Sequence, residues 1–247
     1  MKSKKLVLFD IDGTLIYHVG RKTSWVTRYT QALNEVYGVK VLPFDPIGKH
    51  EGSIEQKIAW EELSPLGINR QTIRAKFPRY LKRRVALFDE DAGVEQLYKA
   101  IPDACTLARR LGAHPDRYIV GVLTGNATSI ALWKLSHAGV PDVFHFGLYG
   151  EEADDRIALS HLVFDKAFQE LGVRLTGGDI VVIGDTVHDI RCGRAIGAVT
   201  IGVTTGGHDR GMLAKEHPDL LVDSLMDPRV LGMFGVNRLD KKERPSV

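Results

Sequence analysis

The chain has only two cysteines, Cys105 and Cys192, and no CxxC pair. That excludes a disulfide framework, offers no zinc-ligand spacing and suits a reducing compartment. None of the nine histidines falls into an HxH or HExxH pattern, so a histidine-bound zinc site is not indicated. No apolar run approaches the roughly 20 residues of a membrane span. The basic start, Met1-Lys2-Ser3-Lys4-Lys5, is followed by only Leu6–Phe9, too short for the apolar region of a signal peptide. Charge of one sign is not in excess: 33 basic against 31 acidic side chains leave a net +2. That balance, without aromatic interleaving, gives no reason to expect nucleic acid or a membrane surface as partner. Internal repeats and low-complexity segments are also absent. What remains is the expectation of a cytoplasmic globular protein, whose 44% hydrophobic content supports a sizeable core.

Short β-branched runs alternate with helical patterns, as in βαβ units. Lys5–Phe9, Tyr118–Leu123, Val143–Leu148, Ile180–Ile183 and Val199–Val203 read as strands of a parallel sheet buried on both faces, with Asp219–Leu225 as a short edge strand. Between Ile16 and Phe88 the pattern is helical instead. Ser24–Tyr37 places Val26, Tyr29, Leu33 and Val36 on one face, and Ser53-Ile54-Glu55-Gln56 has the form of a capping box ahead of Ile58 and Leu63. Asn69 stands as the cap of a further helix with Ile73, Phe77, Leu81 and Val85 at core spacing, which Pro78 is expected to kink or interrupt. A crossover between strands needs far fewer residues. The sequence therefore predicts a helical cap of residues 16–88 inserted into a core of residues 1–15 and 89–247.

Four polar fragments each follow an expected strand: Asp10-Ile11-Asp12-Gly13-Thr14, Thr124-Gly125-Asn126, Glu151–Arg156, and Gly184-Asp185-Thr186-Val187-His188-Asp189. Open parallel sheets bind ligands at the carboxyl ends of their strands, so the fragments can converge there. Two carboxylates beside a buried strand are costly unless a cation or a substrate uses them. Gly13 and Thr14 add a turn and exposed amides, which suggests that an anion and a divalent metal are handled together.

On these fragments, from Leu6 to about Gly206, the chain resembles the phosphohydrolases of the haloacid dehalogenase (HAD) superfamily. The nearest likeness is to phosphoglycolate-phosphatase-like members with a helical cap after the first motif. The resemblance implies an α/β fold: a doubly wound parallel sheet, the HAD-like Rossmannoid core, under an inserted α-helical cap. It implies Mg²⁺-dependent hydrolysis of a small phosphorylated metabolite. Asp10 would then be the nucleophile that takes the phosphoryl group. Asp12 would protonate the leaving alcohol and later activate water, its backbone carbonyl touching the metal. Thr124 would bond the transferring phosphoryl oxygens, with Gly13, Thr14, Gly125 and Asn126 completing the cradle. Asp185 would hold Mg²⁺ beside Asp10, and Asp189 a metal-bound water. The Lys-Pro pair common ahead of the fourth motif does not occur. Arg156 is the expected substitute, because a guanidinium grips carboxylate and phosphate with parallel bonds; Lys166 is the second choice. Lys49, in Gly48-Lys49-His50-Glu51-Gly52, falls where similar caps present a specificity loop and would meet a second anionic group of the substrate.

Each fragment alone has a plain reading. Asp and Gly after a strand are ordinary turn residues. A calcium loop fails, since an EF-hand needs Gly sixth and Glu twelfth, whereas Gly13 is fourth and Arg21 twelfth counted from Asp10. The joint order of the fragments is what carries the inference. The same aspartates would also serve a β-phosphoglucomutase-like phosphotransferase, and the same fold could bind phosphate without turnover; a dehalogenase or phosphonatase would not call for Asp12. The acid-free basic stretch Arg70–Arg84 reads as the solvated face of a cap helix, with steering of an anionic substrate as the second reading. His18 reads as a linker residue, and Trp25, Trp60 and Trp133 as packing residues.

Overall fold

The structure, a computed structural model, describes residues 4–44, 50 and 52–236, with residues 22–26 described in backbone only. Its strands are β1 (Lys5–Phe9), β2 (Ile16–His18), β3 (Tyr98–Ala100), β4 (Tyr118–Leu123), β5 (Phe146–Leu148), β6 (Ile180–Gly184), β7 (Val199–Val203) and β8 (Leu220–Val222). Six of them form one sheet in the order β5-β4-β1-β6-β7-β8, every neighbouring pair parallel. Leu6, Val7, Leu8 and Phe9 are fully buried because β1 lies centrally with both faces covered. Val7 and Phe9 join a cluster with Val120, Val122, Val181 and Ile183, while Leu6 and Leu8 join Leu148, Ile180 and Val182 on the opposite face. Helices α4 (Pro102–Gly112) and α5 (Thr128–Ala138) cover the first face; α6 (Arg156–His161), α7 (Val163–Leu171) and α8 (Val187–Ala195) cover the second. This is the doubly wound α/β sheet expected from the sequence.

Two details differ at the sheet. The strand expected over 143–148 is confined to Phe146–Leu148, and the edge strand to Leu220–Val222. A second, antiparallel ribbon pairs Ile16 with Ala100 and His18 with Tyr98. Three residues per strand leave too little alternation to be legible in sequence.

Between β2 and β3 lie α1 (Lys22–Tyr37), α2 (Glu55–Leu63) and α3 (Arg70–Ala92). They share an apolar cluster of their own, with Leu33, Val36, Ile58, Leu63, Ile73, Phe77 and Tyr80 buried in it. Asn69 caps α3 by accepting a 2.8 Å bond from the Thr72 amide. Pro78 does not interrupt α3. Its ring lies on the exposed face, as does Arg74, whose carbonyl loses its helical partner and can be met by water. The helix also continues four residues past the Phe88 boundary expected for the insertion. The capping box expected at Ser53-Ile54-Glu55-Gln56 is not formed. Ile54 is the cap without a side-chain bond, and the Glu55 amide donates instead to the Gly125 carbonyl at 2.9 Å. Among the described residues, no helix is long and apolar enough to cross a membrane.

Candidate active site

Asp10, Thr124 and Asp185 each directly follow one of three adjacent strands, β1, β4 and β6, which brings them together at one sheet edge. All three line a cavity of about 380 Å³ between the sheet and the helical insertion. The chain turns sharply after Asp10: the amides of Leu15 and Ile16 both donate to the Ile11 carbonyl, at 2.9 and 3.0 Å. Gly13, at φ +83°, completes that turn, and a Cβ there would sit 2.3 Å from Asp185 Oδ2. Only glycine allows so close an approach of the first loop to the fourth.

Arg156 opens α6, is buried, and donates from Nη2 to Asp10 Oδ1 at 3.2 Å and to Asp189 Oδ1. Among the described residues its Nε has no partner, and Arg156 lines the cavity. Lys166 lies elsewhere, with its ammonium 2.6 Å from Glu152 Oε2. Asp189 is 1% exposed and also accepts from the amide and hydroxyl of Thr186, so both of its oxygens are engaged. Thr14 does not reach the cavity: fully buried, it donates to Asp185 Oδ1 at 2.9 Å. Its hydroxyl is thus engaged with a carboxylate of the fourth fragment. Asn126 lines the cavity, but its side chain is held by Asp12, Thr124 and Lys134. Lys49 lies outside the described residues.

Lys134 escaped the sequence reading. It sits on α5 among Ile130, Ala131, Trp133 and Leu135, all buried. Its ammonium donates to both oxygens of Asp12, at 2.9 and 2.7 Å, while Asn126 Nδ2 donates to Asp12 Oδ2 at 2.7 Å. The signal was a lone charge in the apolar run Ile130–Leu135, since a buried lysine requires a partner. Burial would raise the Asp12 pKa, yet the Lys134 charge and the bonds from Lys134 and Asn126 hold it below the usual carboxylate range. The basic stretch on α3 is also only partly solvated. Arg83 pairs with Glu35 and with Glu90, whereas Arg84 is buried and lines the cavity.

Among the described residues, Asp10, Asp185 and Asp189 can place one oxygen each within 4.8 Å of one another. Three buried carboxylates so close repel. Burial and the charge of Asp189 raise Asp10 well above the usual range and push Asp185 up to about 7. A hard divalent cation fits this all-oxygen set and would reverse the repulsion. The sign follows from linkage. An unfolded aspartate titrates near 4, so the raised Asp185 adds stability below about pH 4 that is lost as pH rises through about 7. Mg²⁺ is therefore expected to raise the melting temperature more at pH 8 than at pH 6. An equal or larger shift at pH 6 would contradict binding at these carboxylates.

Comparisons with known proteins agree with this geometry. Residues 158–228 match the family model described as HAD-hydrolase-like. The chain is 23% identical over 232 residues to a phosphoglycolate phosphatase of Pectobacterium atrosepticum, covering 92% of this chain and 91% of that protein. It is 24% identical over 232 residues to a phosphoglycolate phosphatase of Neisseria meningitidis, covering 89% of each. A haloacid dehalogenase-like hydrolase structure from Streptococcus pneumoniae superposes with a TM-score of 0.60 at 18% identity, over 95% of this chain and all of that one. The parallel sheet gathers Asp10 and Asp185 at the ends of adjacent strands, in a fold like that of the haloacid dehalogenase-like hydrolases. The chain is thus similar to the haloacid dehalogenase-like hydrolases in sequence over residues 158–228 and in fold over nearly its whole length.

Proposed function

We propose that the protein is a Mg²⁺-dependent phosphomonoester hydrolase acting on a small organic phosphate through an aspartyl-phosphate intermediate. The observation that carries this reading is the pairing of Asp10, held by Arg156 at 3.2 Å, with Asp12, held by Lys134 at 2.7 Å, on one cavity wall. Similarity to the phosphoglycolate phosphatases named above supports the phosphate-ester chemistry. Asp10 attacks phosphorus, and the bond to the ester oxygen breaks. The leaving oxygen takes a proton through Asp12, whose carboxylate and the Lys134 ammonium share one. Asp12 then removes a proton from water, which attacks the phosphorylated Asp10 and releases inorganic phosphate. Arg156, which lines the cavity, offsets the charge gathered between nucleophile and phosphoryl group. Thr124 and the Gly125 and Asn126 backbone would orient the phosphoryl oxygens. Bound at Asp10 and Asp185, Mg²⁺ would supply Lewis-acid stabilisation of phosphoryl charge. Residues 16–88, with the rest of α3, act as the cap that excludes water. The Gly125 carbonyl and the Glu55 amide already join the two parts.

Release of phosphate from p-nitrophenyl phosphate with Mg²⁺, and its loss in EDTA, tests the reading; no release from any phosphomonoester would refute it. Lys134→Met offers a finer check. Aryl esters leave without a proton, whereas alkyl esters need one. The variant should therefore slow alkyl phosphates about 10²-fold, in the range of general acid catalysis, and aryl phosphates far less. Equal losses on both ester types would make Lys134 a structural residue only.

A further inference from the structure

Arg84 is buried on α3, lines the cavity, and none of the described groups satisfies its Nη1. The nearest carboxylate oxygen, Glu55 Oε1, is 3.8 Å away and accepts instead from the Tyr80 hydroxyl at 2.8 Å. The guanidinium lies 4.0 Å from the centroid of the Tyr29 ring and 5.1 Å from that of Phe88. A buried guanidinium nitrogen without a hydrogen-bond partner is costly, and aromatic faces offset only part of that cost. The group remains protonated despite its burial, supported by Tyr80 and Glu55.

The position of Arg84 relative to the reacting groups is equally informative. Phe88 lies 6.2 Å from Tyr98, Tyr98 lies 5.2 Å from the Lys134 ammonium, and that ammonium is 2.7 Å from Asp12. A chain of contacts thus leads from Asp12 through Lys134, Tyr98 and Phe88 to Arg84, and all five residues, with Asp10 and Glu55, line the one cavity. The cavity volume of about 380 Å³ falls within the roughly 300–1,000 Å³ of pockets that enclose drug-sized ligands, so a two-carbon leaving group would leave most of it empty.

Resting on the hydrolase reading, we propose that Arg84 and Glu55 form a leaving-group subsite for a polyol, so that the substrate is a sugar or polyol phosphate rather than a short phospho-acid. Arg84 can only donate and a carboxylate can only accept, and the two lie side by side with no net charge. A hydroxyl does both, and neighbouring hydroxyls on one carbon chain meet the two groups together. A carboxylate at this subsite would satisfy Arg84 but confront Glu55. The rings of Tyr29, Phe88 and Tyr98 supply apolar faces for the C–H side of such a chain.

The test compares kcat/KM of the wild-type enzyme on D-ribose 5-phosphate, D-glucose 6-phosphate, their deoxy analogues and 2-phosphoglycolate. At least one sugar phosphate should exceed both its deoxy analogue and 2-phosphoglycolate by about tenfold or more, because a site built to bond a hydroxyl rejects the compound lacking it. The double variant Arg84→Met/Glu55→Gln, which leaves neither charge alone, should bring those ratios to within about twofold of unity, mainly through KM. If that variant does not fold, the wild-type ratios decide alone. A preference for 2-phosphoglycolate, or no preference among esters that are all hydrolysed, would overturn the subsite and leave the hydrolase standing. No turnover of any ester, p-nitrophenyl phosphate included, would overturn both.

Discussion

Asp10→Asn is expected to lower phosphate release by at least roughly a thousandfold while the fold survives, since removing a covalent nucleophile costs orders of magnitude in turnover. The substitution keeps the shape of the side chain and removes one negative charge. Asp10 is buried, and its carboxylate is pushed well above its ordinary titration range by burial and by Asp189, with Arg156 opposing. Loss of the charge costs one 3.2 Å contact to Arg156, which retains Asp189 as partner. It also relieves repulsion with Asp185 and Asp189. The metal-free melting temperature at neutral pH should accordingly hold or rise while activity disappears. That opposite movement separates a catalytic carboxylate from a structural one, whose removal would lower both. Turnover within tenfold of wild type would contradict Asp10 as nucleophile.

The sheet was legible because β1, β4, β6 and β7 are short, largely apolar runs, β-branched-rich in the last three, a pattern that suits buried parallel strands. Asp10 and Asp185 were legible because each follows a strand directly. Less was legible where a residue's role depends on partners distant in sequence. Thr14 sits two residues from Asp12 and looks like part of a phosphate loop, yet its hydroxyl points to Asp185, 171 positions away. Lys134 lies in a helix whose amphipathic pattern says only that one face is buried, not that Asp12 waits there. Arg84 ends a run of basic residues, and although it stands seven positions after Phe77 on the buried face of α3, its seat over Tyr29 of α1 and beside Glu55 of α2 is visible only in the packing. Pro78 misled for a related reason: its effect on a helix depends on whether the orphaned carbonyl faces water, which periodicity does not specify.

Arg156→Ala is expected to lower turnover by about 10²- to 10³-fold, in the range seen when a donor to developing charge is removed. Lys166→Ala should leave turnover unchanged. The contrast rests on placement. Arg156 bridges Asp10 and Asp189 in the interior, whereas Lys166 pairs with Glu152 at 2.6 Å on a partly exposed surface. Exposed pairs of the second kind contribute about 0–1 kcal/mol. Removing the buried partner leaves two carboxylates uncompensated and should cost stability as well, about 3–5 kcal/mol. Lost folding could then imitate lost catalysis, and Arg156→Lys resolves the ambiguity. A lysine restores a donor and the charge between the carboxylates, which Nη2 alone now bonds, but not the remaining N–H groups of the planar guanidinium. Arg156→Lys should therefore recover most of the melting temperature and only part of the turnover, measured on the same aryl phosphate. Full recovery of both would reduce the role of Arg156 to charge balance. If Arg156→Ala kept normal turnover while Lys166→Ala abolished it, the assignment of the two residues would be reversed.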